Sequence, residues 1–296
     1  MDINLYIGAH NTSTNAIISI LENNDALLSE QRIHFASSKV AIQHLAAAQK
    51  ALVDGTRLET VQQKFISAMT NGKNIDRLVI ISPNILGTAT RPFGKEVFYP
   101  RTSGLMQQLQ NMFQGLNMKL FFSVRNPSDF IPLCYSESLL GASFGSFENF
   151  TQEVELTNLR WSSLLHRLQG KQDENHVTIW RHEDYPSMWR DVIQLLTGVK
   201  NNQMLKGSSA VPTENLSLNG ARLFNRYVEE HPPRTKEDFA NMKAAFLQKF
   251  PETSEPVKDV YWDAEVIQTL TDNYDDDWYY IERMEGIRTI QPRIFA

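Results

Sequence analysis

The chain is short of cysteine and of long apolar runs, and each shortage excludes a class of protein. Cys134 is the only cysteine of 296 residues, so neither an internal disulfide nor a cysteine-rich metal site can form. Its apolar neighbours indicate a buried structural thiol. No stretch approaches the ~20 apolar residues of a membrane span. The N-terminus, MDINLYIGAH, lacks the basic and apolar regions of a signal peptide, so we expect a cytoplasmic protein.

Positive charge is also in short supply. A net charge of -5 and an isoelectric point near 5.8 give no electrostatic reason to expect nucleic acid or an anionic membrane as a partner. A small anionic ligand would therefore need a local positive site. The composition, 42% hydrophobic and 21% charged, is typical of a globular protein with a sizeable core.

Strand-like and helical patterns alternate along the first two thirds of the chain. Continuous apolar runs predict strands at residues 4–8, 76–82, 118–124 and 176–180. Helical periodicity predicts helices at residues 12–21, 39–52, 57–70, 102–116, 129–140, 159–168 and 185–196, and later at 215–230, 236–250 and 262–283. Such alternation favours an α/β fold with a central parallel sheet and helices on both faces. We expect one domain over residues 1–296, with an α/β core at 1–200 and a mostly helical elaboration at 201–296.

The first predicted strand runs into a loop of small hydroxylated residues that opens a helix. Free backbone N–H groups and the positive end of the helix dipole make such a position an anion site. Simple helix capping by Thr12 or Ser13 would also explain the composition. The candidate binding residues are Gly8, Asn11, Thr12, Ser13, Thr14 and Asn15.

A second candidate segment, Arg125-Asn126-Pro127, directly follows the third predicted strand. Ligands of parallel sheets gather at the carboxyl ends of the strands, where this arginine would lie beside the first loop. A guanidinium there could bind a phosphate or sulfate group through two parallel hydrogen bonds. The alternative is a surface arginine paired with Asp129.

Together these segments resemble the cytosolic-type sulfotransferases that use 3′-phosphoadenosine-5′-phosphosulfate, and more closely a group of bacterial sulfotransferase-like proteins of mostly unknown substrate. In that family a P-loop relative, G-x-x-[KR]-[ST]-G-[ST]-[ST], holds the 5′-phosphosulfate, and an R-x-P signature grips the 3′-phosphate. The matching positions are Gly8, Asn11, Thr12, Ser13, Thr14 and Asn15, and then Arg125, Pro127 and Tyr135. The resemblance implies a P-loop-like three-layer sandwich and metal-free transfer of a sulfuryl group to a hydroxyl or amine of a small-molecule acceptor.

The chain departs from the family pattern at positions that matter for catalysis. The loop cation is replaced by Asn11, the loop glycine by Ser13, and the serine of the second signature by Leu133. Asparagine supplies no charge, and losing such a group can cost on the order of a hundredfold in rate. Two functions therefore stay open: an active sulfotransferase, or an inactive relative that binds a nucleotide, an anionic ligand or a protein partner.

In the active reading, His10 is the expected general base or charge stabiliser, because its pKa lies near neutrality. Arg91, Lys95 and Arg101, which follow the second predicted strand, are candidates to replace the missing cation. A kinase-type P-loop is disfavoured, because the Gly-Lys pair and a strand-end acid for Mg²⁺ are both missing.

Other polar and aromatic groups have simpler interpretations. His182-Glu183-Asp184 is expected to cap the following helix. The run from Asp275 to Asp277 is expected to form a solvated helix face. We assign Trp161, Trp180 and Trp189 to the core.

Overall fold

A computed structural model describes residues 1–36, 38–94, 96–139, 146–151, 154–169, 177–208, 216–233, 235–251 and 261–292. Its strands are β1 (Asp2–Tyr6), β2 (Ile33–Ala36), β3 (Arg77–Ile81), β4 (Phe93–Gly94), β5 (Val97–Phe98), β6 (Asn117–Val124), β7 (Val177–Arg181) and β8 (Ile287–Thr289). Its helices are α1 (Thr14–Asn23), α2 (Asp25–Glu30), α3 (Ser38–Val53), α4 (Leu58–Thr70), α5 (Thr102–Met112), α6 (Pro127–Leu139), α7 (Phe147–Thr151), α8 (Trp161–Gln169), α9 (Tyr185–Thr197), α10 (Leu218–Glu230), α11 (Lys236–Lys249) and α12 (Ala264–Ile281).

Six of these strands form one parallel sheet in the order β2-β3-β1-β6-β7-β8. The chain places β2 and β3 on one side of β1, and then continues with β6, β7 and β8 on the other. The order therefore reverses at β1, and such switch points are where parallel α/β sheets bind ligands, at the carboxyl ends of the strands. The loop after β1 lies at this point. The remaining strands, β4 and β5, pair as a small antiparallel hairpin.

Both faces of the sheet are covered by helices, because alternate residues of each strand point to opposite sides. Ile3, Leu5 and Ile7 belong to an apolar cluster that also holds buried residues of α3, α4, α5 and α8. Tyr6 belongs to a second cluster, with buried residues of α1, α2 and α9. This arrangement confirms the predicted α/β class and the parallel sheet with helices on both sides.

Helices α10 and α11 pack beside α6, whereas buried residues of α12 join the core cluster of the sheet. Tyr135 and Leu139 of α6 form a third cluster with Leu216 and Phe224, against which apolar residues of α11 also pack. None of the described helices is long and apolar enough to span a membrane.

Helix α6 begins two residues earlier than expected, because Pro127 rather than Asp129 opens it. Pro132 therefore lies inside the helix, where a proline has no N–H to donate to the carbonyl four residues earlier. That carbonyl, of Ser128, instead accepts a hydrogen bond from Trp262 Nε1 at 3.0 Å. An indole from the segment before α12 thus satisfies the backbone group that Pro132 cannot.

The four predicted strands are present within a residue or two. Three predicted positions lie outside the described residues: the strand start at 176 and the helix positions 140 and 215. We did not predict β2, β8 or the β4–β5 hairpin. Each of these strands has four residues or fewer. A polar residue also interrupts the two edge strands, His34 in β2 and Arg288 in β8. Runs this short show no periodicity that the sequence could reveal.

Candidate functional site

Four segments converge at the carboxyl edge of the sheet, as expected from the order of the strands. They are the loop after β1, Asn84 in the turn after β3, Arg125 after β6 and His182 after β7. The register aligns Val124 with Arg181, so Arg125 and His182 leave the sheet side by side.

The loop after β1 first continues the strand direction. The amide of Ala9 donates to Ser123 O at 3.0 Å, and the amide of His10 donates to the hydroxyl of Tyr99 at 3.1 Å. Gly8 lies under the ring of Tyr6, and a Cβ at this position would sit 2.3 Å from the Tyr6 hydroxyl. The glycine is therefore required by the close approach of Tyr6.

The interior of the loop is filled by a buried cluster of hydroxyl groups. Ser123 Oγ lies 2.7 Å from both Tyr6 OH and Thr12 Oγ1. Thr12 Oγ1 donates in turn to Ala9 O at 2.6 Å, and Thr14 Oγ1 lies 3.4 Å from the Tyr6 hydroxyl. Burial raises the pKa of Tyr6, so its phenol stays protonated. The cluster fixes the shape of the loop, and it leaves the Thr12 hydroxyl committed to protein partners.

Helix α1 begins at the end of this loop without a side-chain cap. Ser13 occupies the N-cap position, but its hydroxyl makes no capping hydrogen bond. The first i→i−4 bond runs from Ile17 N to Ser13 O, so the amides of Thr14, Asn15 and Ala16 precede the first intrahelical bond. Such amides, at the positive end of the helix dipole, are the groups that bind an anion. The alternative that Ser13 serves only to cap α1 through its side chain is therefore wrong.

Asn11, in the loop after β1, directs its side chain toward α6. Its φ of 55° lies in the left-handed region, which asparagine tolerates better than most residues. Its Nδ2 donates to Glu137 Oε2 at 3.3 Å and lies 3.7 Å from Cys134 Sγ. A carboxylate is therefore next to the loop.

Arg125 lies against the same loop. Its Nη1 donates to the carbonyl oxygen of Asn11 at 2.7 Å. The expected proximity of this arginine to the loop is thus present in the structure. Arg91 and Arg101 are exposed on the surface, and Lys95 lies outside the described residues.

His10 is buried, and both of its ring nitrogens have protein partners. Nδ1 lies 2.8 Å from the Tyr99 hydroxyl, and Nε2 lies 2.8 Å from Asn84 Oδ1. Asn84 Oδ1 can only accept, so the neutral ring carries its hydrogen on Nε2 and the Tyr99 hydroxyl donates to Nδ1. Burial lowers the pKa of His10, so the ring is neutral at pH 7. Asn84 is exposed, so an incoming group could displace its side chain from His10 Nε2.

His182 makes a contact that the sequence did not suggest. Its Nδ1 lies 3.1 Å from Ser13 Oγ. Burial, and secondarily the charge of Arg125, lower the pKa of His182 to about 3. The expected capping role for this segment was wrong, because Asp184 precedes α9 without a side-chain capping bond.

Glu183 is also not a helix cap. Its Oε1 accepts from the amide of Asn126 at 2.8 Å, and its Oε2 accepts from Tyr274 OH at 3.1 Å. The side chain of Asn126 caps α6 by accepting from Ser128 N at 3.0 Å. Glu183 therefore fixes the segment that carries Arg125.

The acidic run on α12 is only partly a solvated face. Asp277 is buried and its Oδ2 accepts from the amides of Trp161 and Ser162, at 2.7 and 3.1 Å, at the start of α8. Asp275 pairs with Arg181 at 2.9 Å, while Asp276 is exposed. The described residues contain no group of three or more His, Cys, Asp or Glu side chains that could hold a metal ion.

The expected core residues are confirmed. Trp161, Trp180 and Trp189 are buried. Cys134 is fully buried, and burial raises its pKa well above the usual range, as expected for a structural thiol.

Comparisons of the chain with family models, with curated proteins and with solved structures found no match. Of the residues at this edge of the sheet, sequence reasoning missed Tyr6, Ser123, Glu137 and the role of His182. Tyr6, Ser123 and His182 lie at or just after strand ends, which is the one signal that could have found them. Glu137 lies near the C-terminal end of α6, and no pattern in the sequence marks it.

Proposed function

We propose that this chain is a sulfotransferase-like protein that binds 3′-phosphoadenosine-5′-phosphosulfate at the carboxyl edge of β1 and β6. It would transfer the sulfuryl group to a hydroxyl or amine of a small acceptor. The observation that carries the proposal is the contact of Arg125 Nη1 with Asn11 O, which puts a guanidinium beside the helix start that follows β1. In this reading the fold is P-loop-like, since the loop between the switch-point strand and its helix is the anion site.

The residues at the site fit such a donor in two respects. The amides of Thr14, Asn15 and Ala16 come before the first intrahelical bond of α1, and they suit the 5′-phosphosulfate. Arg125, held by the Glu183 contact to its neighbour Asn126, suits the 3′-phosphate. When bound, the donor supplies the activated sulfuryl group.

The protein's own contribution would be to bind, orient and stabilise charge. Neutral His10 carries its proton on Nε2, toward the exposed Asn84. An acceptor hydroxyl that displaces Asn84 would meet this N–H, which makes His10 a hydrogen-bond donor in its present tautomer. Acting as a general base would require His10 to give up its hydrogen bond from Tyr99 or to change tautomer.

A second candidate is binding without transfer, and the geometry at Asn11 favours it. Asn11 supplies no charge, and its amide group is bonded to the carboxylate of Glu137. A negative charge at this place opposes the build-up of negative charge on a leaving group. In this second function the site holds a nucleotide or another anionic ligand, and no group is transferred.

The two functions share a binding step, which a thermal-shift titration with adenosine 3′,5′-bisphosphate tests. At roughly a hundred times its dissociation constant, the ligand should stabilise the protein by ~2.7 kcal/mol, or about 5 °C. Arg125→Ala should abolish the shift, whereas Arg226→Ala, which removes an exposed arginine of α10, should not. No shift in the wild type at millimolar ligand would contradict both functions.

Transfer is then separated from binding by adding the sulfate donor with a panel of phenols and amines. Turnover by the wild type supports the sulfotransferase proposal. Binding without turnover, together with turnover gained by Asn11→Lys, supports the second function.

A further inference from the structure

A serine and a histidine from distant parts of the chain meet beside the proposed anion site. Ser13 is fully buried at the start of α1, and its Oγ lies 3.1 Å from His182 Nδ1. His182 follows β7 directly, and the neighbouring strand β6 ends in Arg125. Two potential cations, one permanent and one titratable, therefore flank the loop in which Asn11 replaces the basic residue.

The charges around His182 oppose its protonation in the free protein. The guanidinium of Arg125 disfavours a second positive charge, and burial has a larger effect in the same direction. Two nearby acids have other partners: Glu183 accepts from Asn126 and Tyr274, and Asp275 pairs with Arg181. The charge of Asp184 acts on Arg181. Burial raises the pKa values of the neighbouring phenols, Tyr6, Tyr185 and Tyr274, so that they remain uncharged.

An anion at the start of α1 would reverse this balance. Its negative charge would offset that of Arg125 and favour the imidazolium form of His182. The direction of the hydrogen bond to Ser13 would then also reverse. With Nδ1 unprotonated, the Ser13 hydroxyl donates to the ring; with Nδ1 protonated, the ring donates, and the hydroxyl hydrogen becomes available to another acceptor.

We infer that His182 takes up a proton from solvent when an anion binds at the start of α1. The imidazolium, acting through Ser13 and together with Arg125, then supplies the positive charge that Asn11 cannot. This inference rests on the proposed function, because it assumes an anion at the loop. His182 is a positioning residue in this account, since its contact is with Ser13.

Calorimetric titration with adenosine 5′-phosphosulfate tests the inference. The charge of this ligand does not change between about pH 5.5 and about pH 8, because it carries no phosphate monoester. Titrations at one pH in two buffers of different ionisation enthalpy give the number of protons taken up. The wild type should take up protons from solvent when ligand binds, more at about pH 5.5 than at about pH 7, because a nearby charge moves a pKa by roughly 1–3 units. Its affinity should fall on raising the pH over this range, by at most about tenfold per pH unit.

Matched variants assign the proton. His182→Gln keeps a hydrogen-bond partner for Ser13 but cannot titrate, so uptake should vanish and affinity should become nearly independent of pH. His44→Gln, on α3, should behave as the wild type. Uptake that survives in His182→Gln belongs to another group, such as His10, and overturns the inference.

The remaining outcomes separate the inference from the function on which it rests. Binding without proton uptake overturns the inference and leaves the proposed anion site intact. No binding of this ligand, or of adenosine 3′,5′-bisphosphate, overturns the proposed function, and the inference with it. If His182→Gln does not fold, the imidazole NMR signal of His182 in the wild type gives the same answer, because it should move to its charged position when ligand is added.

Discussion

Arg125 donates from Nη1 to the carbonyl oxygen of Asn11 at 2.7 Å, across 114 residues of sequence. This bond joins the segment after β6 to the loop after β1, on the two sides of the point where the order of the sheet reverses. It also places the guanidinium beside the start of α1. A backbone carbonyl here serves as an anchor for the one arginine that contacts the loop in the described part of the chain.

The Gly8 position should not tolerate a side chain. A Cβ there would meet the Tyr6 hydroxyl at 2.3 Å and Ser123 Oγ at 2.7 Å, so Gly8→Ala should disrupt the hydroxyl cluster and destabilise the protein by about 1–3 kcal/mol. Urea unfolding measures the effect. Gly104→Ala is the matched control, because a Cβ at this position of α5 meets nothing within 4 Å. The control should be neutral or stabilised by about 0.5–1 kcal/mol.

The carboxylate of Asp277 should contribute to stability, although it lies in an acidic run. Asp277→Ala leaves the two amides at the start of α8 without their acceptor, and should cost about 1–2 kcal/mol of unfolding free energy. The neighbouring exposed residue provides the comparison, because Asp276→Ala should change stability by less than about 0.5 kcal/mol. Equal effects of the two substitutions in urea unfolding would contradict the assigned contact.

The large elements of the fold could be predicted from the sequence, because their apolar patterns are long. Strand β3 and strand β6 appear as continuous apolar runs, and α9 spans the predicted helix at 185–196 with one further residue before its C-cap, Gly198. The edge strands β2 and β8 could not be predicted. They are stabilised by pairing with β3 and β7. Such pairing depends on the tertiary structure and leaves no strand pattern in the local sequence.

The site residues, like the strands, could be predicted only in part. Ser13 and Arg125 were found because they follow strands, and parallel strands bring such positions together. The partners that decide their chemistry were not found. Glu137 reaches Asn11 from α6, and His182 reaches Ser13 from β7, through contacts that span more than 120 residues. Sequence spacing alone carries no information on pairs so distant.

Stability should depend on pH through His182. Its pKa is about 3 in the folded protein and near 6.5 when unfolded, so the unfolded state binds more protons between these values and stability falls as the pH falls. Between about pH 6 and pH 4 this residue alone should remove about 2 kcal/mol. His182→Gln should lose that part of the pH dependence in urea unfolding. Parallel curves for the two proteins over this range would show that the fold does not hold His182 neutral.

Glu137 should weaken anion binding. Its carboxylate bonds to Asn11 at the loop, so Glu137→Gln, which preserves an acceptor for Asn11, should improve affinity for adenosine 3′,5′-bisphosphate by roughly 1 kcal/mol, or about fivefold. Glu148→Gln, a change on the exposed helix α7, serves as the control and should leave the affinity unchanged. A tighter complex in both variants would indicate a general charge effect rather than a local one.

The most direct test of the account is a crystal structure of the protein with adenosine 3′,5′-bisphosphate. We expect the 5′-phosphate within about 3 Å of the amides of Thr14, Asn15 and Ala16, and the guanidinium of Arg125 on the 3′-phosphate. A ligand bound away from the carboxyl ends of β1 and β6, with Arg125 still turned only to Asn11, would contradict the claim that this loop is an anion site.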